Sequence, residues 1–150
     1  MCSSDLAAGV SQAIVFHGYV NQDDLPPWYR AADVFVLSSD FDNSPNVVLE
    51  AMASGVPVIV SNEGGPKFLV QSNKNGYIAD SFESFVEALM DLRTHSHQRQ
   101  ILSDGARATA MTFSWDSVFE GVYASYGSLL RPAIGALPGS RPDPRRLIRI

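Results

Sequence analysis

Short apolar runs alternate along this chain with stretches whose apolar residues recur at helical spacing. "AIVF" at residues 13–16, "DVFVL" at 33–37 and "VPVIVS" at 56–61 read as short buried strands, with "YIA" at 77–79 as a last one. Between the first two, "DDLPPWYRAA" opens a helix with acids and prolines in its first turn, where missing N–H donors do least harm. Residues 46–53 read as a helix that ends at Gly55, and residues 66–70 as a shorter one before the turn "NKNG". "SFESFVEALMDL" starts at a serine cap and spaces Phe82, Phe85, Val86 and Leu89 for a helix. "QRQILSDGARATAM" continues helical, and "SWDSVFEGVYASYGSLL" makes a further serine-capped helix. From residue 131 onward Pro and Gly interrupt every pattern, so residues 131–150 are expected to form a tail.

Strands alternating with helices predict βαβ units, hence an α/β fold with a parallel sheet and flanking helices. At 150 residues the chain is one domain at most. Three or four strands make an incomplete doubly wound sheet, and the first recognisable element is already a strand. The pattern therefore predicts the second half of a larger domain, with residues 7–130 as its ordered part.

Composition narrows the function. A 45% hydrophobic content marks a soluble globular chain, and no segment reaches the ~20 apolar residues of a transmembrane helix. A net charge of −5 argues against non-specific nucleic-acid binding, and the basic cluster at residues 141–149 falls in the expected tail. The single cysteine, Cys2, forms neither an internal disulfide nor a metal cluster. It lies in "CSSDL", which a common sequencing adapter encodes, so residues 1–6 are expected to be a non-native leader. With no signal peptide, a cytoplasmic setting is the default.

The candidate chemistry sits in "DFDNSPNVVLEAMA", residues 40–53. Ligands of open parallel sheets bind at the carboxyl ends of the strands, where this loop lies. Ser44 suits an N-cap and Pro45 a first helical position. The free N–H groups of Asn46, Val47 and Val48 would then face the loop, and such a helix mouth attracts phosphate. Glu50 follows Asn46 by one turn on the same face, placed to accept hydrogen bonds from sugar hydroxyls, and Asp42 would face the same space. The plainer reading is a serine-capped βα turn whose helix carries one solvent-facing glutamate.

"AADVFVLSSDFDNSPNVVLEAMASGVPVIVSNEGG" closely resembles the core signature of the retaining GT-B glycosyltransferases, whose members carry an acid, seven residues and a glutamate. Asp42 and Glu50 have that spacing. "VFHGYV", Gly64 with Gly65, Asn75 with Gly76, and "FSW" at residues 113–115 extend the likeness over roughly residues 13–130. The resemblance implies the C-terminal, Rossmann-like, donor-binding half of a two-domain enzyme, N-terminally truncated here. It implies transfer of a sugar from a nucleotide-diphosphate-sugar to an acceptor, with retention and without a metal or other cofactor. Glu50 is the implied ligand of the ribose hydroxyls, and Asp42 the catalytic acid beside the donor sugar. The resemblance likewise implies that backbone N–H groups of Ser44 and Asn46 to Val48 hold the diphosphate and sugar.

The chain departs from the family at three points. Asp42 stands where the first acid is usually Glu. Asn43, Ser44 and Pro45 replace a Gly-Phe-Gly run, and Pro45 has no N–H to donate. Phe68 stands where a Glu often follows the double glycine. The Arg and Lys that offset charge on the leaving diphosphate would precede residue 1, as would the acceptor domain. The chain is therefore expected to be inactive alone, with peripheral attachment to the inner face of a membrane belonging to the missing half.

Other features are weaker. "DFD" at residues 40–42 has the form of a metal-binding Asp-x-Asp, in surroundings that match the metal-independent class. His17 reads as structural, and His95 and His97 as solvated. Trp28 with Tyr29, and Trp115 with Tyr123 and Tyr126, fit helix-to-sheet packing rather than sugar platforms. Lys67 reads as a surface lysine, and Ser38 and Ser39 lack a partnered histidine for nucleophilic catalysis. Two other classes stand beside the transferase: a non-catalytic remnant serving in association, and a receiver-like nucleotide-binding regulator, whose acidic cluster after the first strand is lacking here.

Overall fold

The computed structural model describes residues 13–39, 43 and 46–134. Three parallel strands form its sheet in the order β1 (Phe35–Leu37), β2 (Val58–Ser61), β3 (Gly76–Ala79). Phe35 pairs with Val58 and Val58 with Gly76, which sets the register across the sheet. All four residues of β2 are buried, as a parallel strand covered on both faces requires.

The helices are α1 (Leu25–Ala31), α2 (Asn46–Ala53), α3 (Phe82–Thr94), α4 (Ser96–Ala110) and α5 (Trp115–Ile134). A 3-10 turn, Gln22–Asp24, leads into α1, and a second, Pro66–Phe68, occupies the expected short helix. α2 ends because Gly55 adopts φ +77°: its N–H bonds the carbonyl of Met52, and Val56 N–H reaches back to Ala51. That pair of bonds is a Schellman closure, for which glycine carries no Cβ penalty. α3 starts at a reciprocal serine cap, with Ser84 N–H donating to the Ser81 hydroxyl at 3.1 Å.

Alternation along β2 divides the core. Val58 and Val60 pack on one face against Val48, Ala51 and Met52 of α2 and Ala106 of α4. Ile59 packs on the other against Leu92 of α3 and Leu102 of α4. α2 and α3 thus cover opposite faces of the sheet. Buried Asn75 is fully partnered: it accepts from Gln71 N–H and donates to the Leu69 carbonyl and the Thr109 hydroxyl.

The structure corrects three sequence expectations. Residues 13–16 form no strand, and Val15 and Phe16 are 71% and 66% exposed; an apolar run becomes a strand only beside a partner. The last helix runs through Pro132 to Ile134, beyond the expected boundary at residue 131. Trp115, Tyr123 and Tyr126, expected as packing residues, are 75%, 60% and 62% exposed. The chain divides into two compact units, Met1–Ala110 and Met111–Ile150. Among its described residues the second holds α5, begun by the Ser114 hydroxyl accepting from Ser117 N–H, with Trp115, Phe119 and Tyr123 stacked along one stripe.

Candidate functional site

The loops that follow the strands are locked to one another. The Ser61 hydroxyl, almost wholly buried, donates to the Ser39 carbonyl at 2.6 Å, tying the end of β2 to the loop after β1. Asn62 N–H donates to the Ala79 carbonyl at 2.8 Å, which brings in β3. Gly65 lies so close to the Asn43 backbone that any Cβ there would overlap the Asn43 carbonyl. Lys67 caps this loop by donating to the Asn62 carbonyl at 3.2 Å. A crevice of about 330 Å³ opens at the three strand ends, lined by Ser38, Ser61, Asn62, Glu63, Asp80 and Phe82. Its α3 wall places it on the sheet face opposite α2.

α2 begins beyond the carboxyl end of β1. The N–H groups of Asn46, Val47 and Val48 are first-turn donors without an intrahelical acceptor. The Val48 side chain is wholly buried in the core, so only its backbone is available, while Asn46 and Val47 are exposed. Asp42 and Ser44 lie outside the described residues, as do Asp40 and Pro45.

Glu50 is half-buried and lines a cleft of about 270 Å³ between α1 and α2, rather than the strand-end crevice. Gln22, Leu25 and Pro26 form one wall, Ala53 and Ser54 the other, and Tyr29 stands beside Glu50. The Tyr29 hydroxyl donates to Glu50 Oε2 at 3.0 Å. Burial, and then the hydrogen bond and charge of Glu50, push the Tyr29 phenol up to about 12, so it remains a donor at neutral pH. Tyr29 is fixed by Phe35 of β1, the rings meeting edge to face at 5.9 Å. Its bond to a carboxylate 21 residues away carried no sequence signal beyond an aromatic at a packing position.

The other candidates take structural places. His17 meets Trp28 edge to face at 4.1 Å, and Trp28 is 46% exposed rather than packed on the sheet. His95 Nδ1 lies 2.8 Å from Asp91 Oδ1, and Asp91 also accepts from the Tyr77 hydroxyl, so His95 is partnered rather than simply solvated. His97 is exposed. No group of three or more His, Cys, Asp or Glu able to hold a metal occurs among the described residues, and none of their helices is long and apolar enough to cross a membrane.

A parallel sheet with helices on both faces, locked loops at its carboxyl edge and a helix mouth beside β1 defines an α/β domain of Rossmann-like type. Residues 2–95 match the family described as glycosyl transferases group 1, and the chain belongs to that family. It is 36% identical over 127 residues to D-inositol 3-phosphate glycosyltransferase of Salinispora arenicola, covering 82% of this chain and 28% of that protein. The C-terminal domain of a glycosyl transferase group 1 family protein (LpcC) from Francisella tularensis superposes with a TM-score of 0.65 at 28% identity, over 74% of this chain and 58% of that one. Anabaena Alr3699/HepE, solved in complex with UDP-glucose, gives a TM-score of 0.71 at 23% identity, over 84% of this chain and 35% of that one. The chain spans 26–33% of the length of the first curated relatives it matches.

Proposed function

We propose that this chain is the donor-binding, C-terminal part of a retaining glycosyltransferase that moves a sugar from a nucleotide-diphosphate-sugar to an acceptor. The observation that carries this is the placement of α2: three first-turn amides that lack an intrahelical acceptor, and one turn later a half-buried carboxylate opening on a cleft. Amides at a helix start suit a diphosphate, through both hydrogen bonds and the helix dipole. A carboxylate accepts two vicinal hydroxyls, and a ribose presents them. Asn46, Val47 and Val48 then hold the diphosphate with Ser44, Glu50 holds the ribose, and Asp42 orients the donor sugar, completing an acid–x7–Glu pair. Anabaena Alr3699/HepE, which shares this fold, was solved with UDP-glucose, and that supports a nucleotide-sugar as the ligand. The Francisella domain supports the C-terminal assignment.

The reaction proceeds without a metal, because amides replace the cation against the diphosphate, and no cofactor is needed beyond the nucleotide-sugar. The acceptor is held by an N-terminal domain, and the complete protein is cytoplasmic or peripheral to the inner face of a membrane. Since the chain spans about a third of its relatives or less, it binds donor weakly and does not turn over alone. Incubation with a panel of nucleotide-sugars, followed by NMR for binding and by product analysis for transfer, tests this. Saturable binding without transfer is expected. Rapid transfer overturns the inactivity, and failure of every nucleotide to bind overturns the donor site.

The second reading is a non-catalytic association module, favoured by the edge strand β1, which among the described residues pairs with β2 alone and leaves Val36 42% exposed. A chain that binds no nucleotide yet self-associates would support it.

A further inference from the structure

We propose that Tyr29 is a positioning residue for the donor site: its hydroxyl fixes one oxygen of the Glu50 carboxylate, so that the rest of that carboxylate meets the ribose already oriented. This rests on the reading of Glu50 as the ribose ligand. Glu50 projects from a helix into a cleft, and an unrestrained glutamate there would sample several rotamers and lose that freedom on binding. Tyr29 removes this freedom beforehand. It stands on α1, across the cleft from α2, and donates to Oε2 at 3.0 Å. The tyrosine is itself held, because its ring meets Phe35 edge to face and packs against the core cluster containing Val48 and Met52. A rigid donor thus sets a flexible acceptor.

The arrangement also divides the carboxylate. Two oxygens offer about four lone-pair positions, and the phenol occupies one. Oε1 and the second position on Oε2 remain for vicinal hydroxyls. Gln22, Leu25 and Pro26 form the cleft wall opposite α2, and the two prolines in the first turn of α1 limit how far that wall moves. Tyr29 therefore acts through Glu50 and is not a catalytic residue.

The test uses the whole chain with UDP and 2′-deoxy-UDP as probes, read by NMR titration so that millimolar affinities are measured. Wild type should prefer UDP by roughly tenfold, the size of one good hydrogen bond to a charged group. Glu50→Gln should lose most of that preference. Tyr29→Phe, which keeps the ring, should weaken UDP about 5- to 20-fold and cut the preference to about threefold or less, with an unchanged circular dichroism spectrum. Glu50→Gln combined with Tyr29→Phe should be no worse than Glu50→Gln alone, because the two act as one unit. If wild type and Glu50→Gln behave as stated but Tyr29→Phe keeps the full preference, the positioning role is overturned and the donor site stands. If wild type shows no ribose preference, the donor-site reading falls and this inference falls with it. A Tyr29→Phe chain whose weakened binding is matched equally by both nucleotides would mark a merely structural tyrosine.

Discussion

At the scale of single residues, the proton on Tyr29 links the cleft to pH. Its phenol is raised from 10.0 to about 12, first by burial and then by Glu50. A raised acid holds its proton more tightly in the folded state, so the stabilisation is complete below pH 10 and is lost as pH climbs towards 12. In ultraviolet titration of the five tyrosines, Tyr29→Phe should remove a component with a midpoint near pH 12. A component missing near pH 10 instead would show that Glu50 does not hold the phenol. Gly65 makes a second case. A methyl group there overlaps the Asn43 backbone, and backbone cannot rotate aside as a flexible side chain can. Gly65→Ala should lower stability by about 1–3 kcal/mol, the usual cost of overpacking. Chemical denaturation measures it, and a neutral result would mean that the two loops are free to separate.

At the scale of elements, α2 shows why some structure was legible and some was not. Its bounds, Asn46–Ala53, were readable because both ends carry local chemistry: Ser44 and Pro45 before it, and a glycine able to close a Schellman motif after it. Gly55→Ala should cost about 1 kcal/mol through the strained φ of +77°, seen as a lowered thermal midpoint with an unchanged circular dichroism spectrum. Met52→Ala removes a wholly buried side chain between α2 and β2, and should cost about 2–5 kcal/mol. β2 was equally plain, being apolar and buried on both faces. Residues 13–16 were misread because a strand is a property of two chains of backbone, and sequence displays only one. Of the proposed site, the first-turn amides of α2 and Glu50 were placed on one helix by spacing alone. The Tyr29–Glu50 bond was not, since it depends on how α1 and α2 face each other.

At the scale of the whole molecule, charge decides how a diphosphate arrives. The chain carries −5, so its long-range field repels a nucleoside diphosphate, and on the proposed reading the attraction comes from amides and the dipole of α2 within a few ångströms. Salt screens the repulsion between separated charges over about 10 Å at 0.1 M, while short hydrogen bonds are screened far less. UDP should therefore bind at least as tightly, and associate about twofold faster, when salt rises from about 20 to 200 mM. A protein that holds phosphate by clustered Lys and Arg shows the opposite dependence. On the proposed reading amides fill the role of a cation, and addition of a chelator should then leave the Kd unchanged. Lys67 is the basic side chain nearest this logic, yet it is engaged with the Asn62 carbonyl and lies over the Phe68 ring. Lys67→Met should accordingly change UDP affinity by less than about twofold. If salt instead weakens binding steeply, a basic side chain holds the diphosphate, and the helix mouth of α2 is not what grips it.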